Sequence, residues 1–390
     1  MPSRIPLADS LVATISIGLL ASSASAADFF AIRLVTDDLA AHPARLVDSA
    51  LIDPRGFASS TTGPFCVGDA ATGLATFYTV DPTTHAPSKS GSSLNFQGNG
   101  RVTGVSFKSA GTGFNGDSFL FSGEDGTLSG WRGALGTVAE VLRTASPANR
   151  YSGSTFGLVG TSPYLYSANF QSGTIDVLDG NLQSAFLSGH FLDPILPSGY
   201  APFNVQNLGG KLYVAYAVRD VAGQLVKGPG NGIVDAFDLN GVFLARVATG
   251  DVLDAPWGLA IAPSSFGPFA GHLLVGNFGD GTIHAYDLST NTRTGTLASL
   301  DSTPIVIDGL RALGTGNGGN GGDPQSLYFT AGPGGGTHGL LGVITALPEP
   351  GVATLLGAGL IGLVGAVRSR KRSVHRRPAP AREWPRSSMR

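Results

Sequence analysis

The chain has almost no cysteine and little charge. Cys66 is the only cysteine in 390 residues, which excludes an internal disulfide framework and a zinc site built on cysteine ligands. Only 13% of the residues are charged, about half the usual share, and this disfavours a helical bundle with charged outer faces. Intrinsic disorder is also disfavoured, because 42% of the residues are hydrophobic and the net charge is only −2. Stability must therefore come from a large hydrophobic core.

Glycine is abundant instead. The 57 glycines are about twice the usual share, and they show no three-residue period, so a collagen helix is excluded. A glycine-rich chain with little charge favours many short strands that are joined by tight turns.

The first 26 residues predict a secretory signal peptide. Arg4 precedes an apolar run from Leu11 to Ala21, and the small residues Ala24-Ser25-Ala26 predict cleavage by signal peptidase after Ala26. The alternative is a short N-terminal membrane anchor, but the apolar run is shorter than a span of about 20 residues. We therefore expect export from the cytoplasm.

The C-terminal segment 347–372 combines three features in order. They are a Pro-Glu-Pro motif, an apolar stretch and a basic cluster, formed by Pro348, Glu349 and Pro350, by Gly351 to Val367, and by Arg368, Arg370, Lys371 and Arg372. The apolar stretch with its basic flank predicts a hydrophobic transmembrane helix and a stop-transfer signal. Residues 373–390 are expected to form a disordered basic tail.

The same order resembles the PEP-CTERM sorting signal of exopolysaccharide-producing Gram-negative bacteria. The resemblance implies that an exosortase-type enzyme cuts near Pro-Glu-Pro and releases the protein or re-anchors it at the surface. A plain membrane anchor is the alternative. Either way, we expect the protein at the cell surface, in the outer envelope or in the extracellular matrix.

The body of the chain is acidic. Between Ala27 and Ala346 there are 15 Lys and Arg against 24 Asp and Glu, a net charge of −9. Such a surface argues against nucleic acid or an anionic polysaccharide that is held by bulk electrostatics, and it is compatible with cation binding.

The body also repeats about every 50 residues. Six copies of a turn followed by a small-residue strand begin near Asp53, Val102, Ser154, Ala201, Asp254 and Ile307. Each copy is followed by a second apolar strand, at Phe65-Cys66-Val67, Phe119-Leu120-Phe121, Tyr164-Leu165-Tyr166, Leu212-Tyr213-Val214, Leu273-Leu274-Val275 and Leu327-Tyr328-Phe329. Most copies then pass through a glycine turn into a third, alternating strand, most clearly in 169–179 and 277–287.

Six units of this length, each a meander of about four strands, predict an all-β protein that forms one six-bladed β-propeller over residues 28–346. Residues 33 to 345 resemble an uncharacterised, secreted propeller family that is often carried on PEP-CTERM proteins and is similar to NHL-type propellers. The matching phrases are 169–177, 199–214, 255–260 and 276–281. The resemblance implies fold and location, and no activity.

Four polar residues precede or begin the innermost strands: Asp53, Asn204, Asp254 and Asp308. Propeller symmetry brings these positions around one mouth of the channel, where their oxygens would suit Ca²⁺ or another divalent cation. Six-bladed propellers similar to gluconolactonase hold a metal in this general way. The alternative is that these residues only stabilise turns through their own backbone. A second ring, Asp69, Glu124, Asn169 and Asn277, ends the second strands and is expected to cap hairpins.

The remaining motifs add little chemistry. The chain contains neither a Gly-Xaa-Ser-Xaa-Gly elbow nor a His-Glu-Xaa-Xaa-His motif. The glycine-rich stretch 314–323 is expected to be a flexible loop, and Trp131 and Trp257 are expected to pack between blades, with a sugar platform as the alternative.

Two hypotheses about function follow. The first is a non-enzymatic binding or scaffold protein of the cell envelope or exopolysaccharide matrix. The second is a divalent-metal-dependent hydrolase or lactonase at the channel mouth.

Overall fold

The computed structural model describes residues 28–98 and 100–347. The predicted signal peptide, the Pro348-Glu349-Pro350 motif with its apolar stretch and basic cluster, and the tail 373–390 lie outside the described residues. Within this part of the chain the only α-helix is the single turn α1 (Pro333–Gly336), and no helix there could span a bilayer. Three short 3₁₀ turns occur at Phe114–Gly116, Gly133–Leu135 and Ser264–Phe269.

The first half of the chain forms two N-terminal strands and three blades. The N-terminal strands are β1 (Phe29–Thr36) and β2 (Leu46–Val47). Blade one contains β3 (Pro54–Ser59), β4 (Phe65–Asp69), β5 (Leu74–Val80), β6 (Pro87–Lys89) and β7 (Leu94–Asn95). Blade two contains β8 (Val102–Phe107), β9 (Phe119–Gly123), β10 (Leu128–Trp131) and β11 (Glu140–Arg143). Blade three contains β12 (Tyr151–Val159), β13 (Ser162–Asn169) and β14 (Thr174–Asp179).

The second half forms the other three blades. Blade four contains β15 (Tyr200–Leu208), β16 (Lys211–Arg219), β17 (Leu225–Val226), β18 (Gly232–Phe237) and β19 (Phe243–Thr249). Blade five contains β20 (Pro256–Ile261), β21 (Leu273–Asn277), β22 (Ile283–Asp287) and β23 (Thr292–Thr296). Blade six begins with β24 (Leu310–Thr315), β25 (Leu327–Ala331) and β26 (Leu340–Ala346).

The structure confirms the six-bladed all-β propeller. Each predicted first strand is the innermost strand of one sheet, and each predicted second strand pairs with it antiparallel. The innermost strands β3, β8, β12, β15, β20 and β24 contact one another in a closed ring. Blade three differs from the expectation of about four strands, because it has three.

The N-terminal strand closes the ring. Strand β1 pairs antiparallel with β26 from Phe29 opposite Ala346 to Thr36 opposite Leu340, so blade six is assembled from both ends of the propeller. Strand β2 then pairs parallel with β1. This closure was not predicted from the sequence, because β1 does not carry the repeated phrase and its partner lies about 310 residues away.

The core lies between adjacent blades. Phe65 of blade one packs against Tyr328 of blade six, and Tyr213 of blade four lies in one cluster with Leu259 of blade five. The glycine turns between second and third strands have the expected left-handed backbone, with φ of 81° at Gly173. The sheets therefore present only short, well-defined loops at the two ends of the channel.

Candidate functional site

The six innermost strands surround a narrow channel. We call the end at which these strands begin the entrance mouth. Between the two ends the strands approach closely: a Cβ atom on Gly104 would lie 2.6 Å from the Ser154 backbone nitrogen, and one on Gly258 would lie 2.6 Å from the Arg311 carbonyl oxygen. Small residues are thus required in the channel wall. The remaining space there is only about 10 Å³, roughly one water molecule.

Asp53 lies at the entrance mouth, but arginines surround its carboxylate. Arg55 approaches it at 2.9 Å, Arg311 at 3.5 Å and Arg101 at 3.8 Å. The side chain of Asp53 is almost fully buried. Its carboxylate therefore acts as the counter-charge of a group of arginines, a role that the sequence analysis did not predict.

The other three predicted metal ligands form hydrogen bonds to distant parts of the chain. The Asn204 side-chain amide donates to the Trp257 carbonyl at 2.8 Å. Asp254 accepts a bond from the Gly228 backbone nitrogen at 2.7 Å, and Asp308 accepts one from the Gly334 backbone nitrogen at 2.9 Å. The partners lie 53, 26 and 26 positions away along the chain and not in the residues' own turns, so the turn-stabilising alternative also remains a prediction. Among the described residues, no three His, Cys, Asp or Glu side chains are grouped so that they could hold a metal ion. The metal site remains a prediction.

Three members of the second ring contact their own hairpins. Asp69 accepts a bond from Thr76, Asn169 accepts one from the Ser172 backbone, and Asn277 lies close to Thr282 and His284. Burial raises the pKa of Asp69 well above its usual value. Glu124 differs from these three, because it forms an ion pair with Arg101 at 2.5 Å.

A cluster of cations that was not predicted from the sequence lies at the entrance mouth. Six of the 15 Lys and Arg residues of the body belong to it, and we call it the cationic ring. Its members are Arg55, Arg101, Arg150, Arg219, Lys227 and Arg311. Four of these arginines lie one to three residues before a glycine of a first strand: Arg55, Arg101, Arg150 and Arg311. This repeated position was the signal that the sequence offered.

Phenylalanine rings lie beside the cationic ring. The Arg150 guanidinium carbon is 4.9 Å from the centre of the Phe170 ring. The Phe278 ring has two cationic neighbours, the guanidinium carbon of Arg311 at 3.7 Å and Nζ of Lys227 at 3.9 Å. These distances fall within the range of cation–π attraction.

The cations perturb one another. Burial, followed by the positive charge of Arg55, lowers the pKa of Arg311 to about 10. The pKa of Lys227 is lowered by burial and by the charge of Arg311. Burial lowers the pKa of Arg150, and the charge of Arg219 acts in the same direction. The entrance mouth is therefore a positive region on an acidic protein.

The opposite end of the channel opens into a cavity of about 690 Å³, which we call the exit cavity. Its polar lining residues are all uncharged: Ser59, Ser106, Ser109, Thr155, Gln206, Asn207 and Thr315. Phe57, Phe107 and Phe156 supply aromatic surface. The sequence offered no sign of this cavity, because its residues come from all six blades and share no motif.

Not all of these polar groups are committed to the fold. Ser106 donates to the Ser154 carbonyl, and Asn207 donates to the Phe156 carbonyl. The side chains of Gln206 and Ser59, in contrast, form no hydrogen bond to any residue that the structure describes. Both remain available to a ligand.

Two further expectations can be compared with the structure. The stretch 314–323 joins β24 to β25, but it is attached to blade one, because the Asn317 amide donates to the carbonyls of Ser60 and Gly63 at 2.8 Å. It is therefore more restrained than the expected flexible loop. Trp257 is 4% exposed and packs in the core, as expected.

No protein-family model matches the chain. It is similar to two uncharacterized proteins of Acanthamoeba polyphaga mimivirus. One is 38% identical over 181 residues, which are 45% of this chain and 44% of the relative. The other is 35% identical over 192 residues, which are 48% of this chain and 50% of the relative. The chain thus spans half or less of the length of these relatives.

Among solved structures, the chain is similar to an α-L-arabinofuranosidase from Fusarium graminearum. The TM-score is 0.50 with 12% identity, covering 82% of this chain and 98% of that chain. An aldose sugar dehydrogenase from Streptomyces coelicolor gives a TM-score of 0.45 with 14% identity, covering 82% and 99%. At 12% identity the likeness to the arabinofuranosidase concerns the fold alone, because one fold hosts many unrelated functions.

Proposed function

We propose that this protein is a non-enzymatic binding or scaffold protein of the cell envelope or exopolysaccharide matrix, and that its exit cavity binds a neutral, hydroxyl-rich ligand such as a segment of a neutral polysaccharide. The observation that carries the proposal is the uncharged polar and aromatic lining of a cavity of about 690 Å³. This volume lies within the range of small-ligand sites.

The lining suits sugar hydroxyl groups. The Gln206 amide offers both donors and an acceptor, and the Ser59 hydroxyl offers one donor and an acceptor. The apolar face of a sugar ring would pack on Phe107, which is partly exposed in the cavity. Polar groups at fixed positions orient the ligand, and the apolar surface beside them adds affinity.

The chemistry of the lining favours binding over hydrolysis. General acid–base catalysis needs a titratable side chain within reach of the substrate, and none of the residues that line the exit cavity is titratable near neutral pH. The alternative, a metal-dependent hydrolase or lactonase at the entrance mouth, has weaker support, because the Asp53 carboxylate is already paired with arginines.

Export and surface location belong to the same proposal. Their support is the signal peptide predicted for residues 1–26 and the sorting segment predicted for 347–372, which would be processed by signal peptidase and an exosortase-type enzyme. Deletion of residues 347–390 should release soluble protein from a Gram-negative host that carries the sorting enzyme. Retention of the shortened protein in the membrane would contradict the C-terminal anchor.

The ligand proposal can be tested by calorimetric titration of the full chain with neutral glucan, galactan and mannan oligosaccharides. Thr315→Trp should fill the exit cavity from its rim, because Thr315 is exposed there, and should weaken binding by about tenfold or more. Thr292→Trp is the matched control, since Thr292 is also exposed but lies on the outer strand β23. The affinity of the Thr292→Trp variant for the oligosaccharide should stay within about twofold of that of the unsubstituted protein.

Two outcomes would contradict the proposal. One is the absence of heat with all three neutral oligosaccharides at millimolar concentration. The other is equal affinity in the Thr315→Trp and Thr292→Trp variants, which would place the sugar outside the exit cavity.

A further inference from the structure

The entrance mouth concentrates positive charge on an otherwise acidic protein. The body has a net charge of −9, yet six of its 15 cations meet at this one place. Four carboxylates lie among them, those of Asp53, Glu124, Asp254 and Asp308. The six cations thus outnumber these four carboxylates, whereas acidic residues outnumber basic ones in the body as a whole.

The carboxylates are not distributed evenly among the cations. Asp53 pairs with Arg55 and contacts Arg311, and Glu124 pairs with Arg101. These contacts lie on the side formed by blades one, two and six. The cations of blades three and four have fewer carboxylates close to them.

Arg150, Arg219 and Lys227 have no carboxylate within 4 Å among residues 28–98 and 100–347. Arg150 donates to the Gly223 carbonyl at 2.6 Å, and Arg219 donates to the carbonyls of Phe170 and Gln171. These carbonyl bonds fix the directions of both guanidinium groups without neutralising them. Each guanidinium has five N–H donors, so further donors remain for a ligand.

Arg311 adds positive charge beside Lys227, because both cations contact the Phe278 ring. The Arg311 side chain is only 10% exposed, and its Nε is buried without a hydrogen-bond partner among the described residues. Holding a buried cation beside Arg55 and Lys227 costs free energy, because like charges repel more strongly where water is excluded. A bound anion would reduce this repulsion.

The floor of the mouth excludes water. The rings of Phe170, Phe203 and Phe278 form a continuous row, with centroid distances of 5.3 Å and 6.1 Å. Phe170 is 2% exposed and Phe203 is 8% exposed. An apolar floor lowers the local dielectric constant, so the attraction between the cations and an anion is stronger than at an open surface.

We propose that the entrance mouth binds the oxyanion group of a small ligand, a carboxylate or a phosphate, over the phenylalanine row, with Arg150 and Arg219 at its Phe170 end and Lys227 at its Phe278 end. Guanidinium groups match the paired oxygens of both anions, and Lys227 supplies an exposed point charge at the rim. The acidic remainder of the surface favours a small anion over a long polyanion, which would extend beyond the positive region. The site is separate from the exit cavity and does not depend on the function proposed for that cavity.

The test is calorimetric titration of the full chain at low ionic strength with inorganic phosphate, glucuronate and glucuronamide. Glucuronamide keeps the sugar and lacks the charge, so any binding in the exit cavity is common to the two sugars. We expect phosphate to bind, or glucuronate to bind at least about fivefold more tightly than glucuronamide. The first result identifies a phosphate ligand and the second a carboxylate. Higher salt should weaken either interaction.

Lys227→Met is the diagnostic variant, because Lys227 is exposed and methionine can keep the contact with Phe278. It should weaken anion binding about fivefold or more, whereas the matched variant Lys211→Met, at the opposite end of the channel, should stay within about twofold. The proposal is overturned if neither anion binds at millimolar concentration. It is also overturned if both variants bind the anion equally, or if glucuronamide binds as tightly as glucuronate while phosphate does not bind.

Discussion

Trp257 and Ser152 join two blades that are not neighbours. The indole Nε1 of Trp257, in blade five, donates a hydrogen bond of 3.1 Å to the carbonyl of Ser152, in blade three. The Trp257 carbonyl in turn accepts the bond from the Asn204 amide of blade four. One residue thus connects three blades across the channel.

Trp257→Phe should lower the free energy of unfolding by about 1–2 kcal/mol. Phenylalanine has no indole N–H, so the Ser152 carbonyl would lose this buried partner. Urea unfolding measures the effect. Trp131→Phe is the control, because Trp131 also loses a bond, to Gly136, but at a solvent-accessible site. An equal loss of unfolding free energy in both variants would mean that the hydrogen bond across the channel stabilises the fold no more than the surface bond does.

Phe29→Ala should destabilise the propeller by about 3–5 kcal/mol. Phe29 is fully buried on the closing strand β1, and its ring centroid lies 4.8 Å from that of Phe266. The neighbouring substitution Phe30→Ala should cost less than about 1 kcal/mol, because Phe30 is 40% exposed on the other face of the same strand. Denaturant unfolding of both variants tests the closure. Similar losses would contradict the assigned register of β1.

Stability should fall as the pH rises through neutrality, because of Asp235. Burial, followed by the charge of Asp193, raises the pKa of Asp235 to about 7, although Arg246 pairs with both carboxylates. The folded state therefore prefers protonated Asp235. Its contribution is fully present below the unfolded pKa of 3.8 and is lost as the pH rises through about 7. The loss amounts to at most about 4 kcal/mol.

Asp235→Asn imitates the protonated carboxyl and should flatten this part of the stability profile. Thermal melting between pH 5 and about pH 8 provides the measurement. Asp251→Asn is the control, since the side chain of Asp251 is 62% exposed and pairs with Arg293 at the surface. If the Asp235→Asn and original proteins show the same pH dependence, Asp235 does not titrate in this range.

Asp53→Asn should destabilise the protein by about 3 kcal/mol. The substitution leaves Arg55 and the buried Arg311 without their shared carboxylate, and unpaired buried charge is costly. Asp308→Asn should change stability by less than about 0.5 kcal/mol, because Asp308 is exposed and an amide oxygen can accept the same bond from Gly334. Equal unfolding midpoints for the two variants would contradict a structural role of Asp53.

Millimolar Ca²⁺, Mn²⁺ or Zn²⁺ should leave the melting temperature of the full chain unchanged. The carboxylates of the predicted metal site already accept bonds from arginines or backbone nitrogens, and the positive charge of the mouth repels cations. A rise in melting temperature that disappears in Asp254→Ala and Asp308→Ala would instead establish the metal site predicted from the sequence.

Local pattern in the sequence determined the fold class. Six repeats with alternating apolar residues place the first and second strands of every blade, and Gly173 and Gly281 mark hairpins, because a strand and its turn are specified by neighbouring residues. The sequence left two interpretations of Asp254 and Asp308, a turn or a metal ligand, because their bonds to Gly228 and Gly334 reach 26 residues along the chain.

Only the tertiary structure decided which residues meet in the channel. Asp53 and Arg311 are 258 positions apart, and β1 finds its partner at the other end of the propeller. Such contacts depend on ring closure and on the angular position of each blade around the channel. No spacing along the chain encodes either of these. The sequence alone therefore determined six blades and an acidic body. Closing the ring gathered the cations at one mouth and left an uncharged cavity at the other.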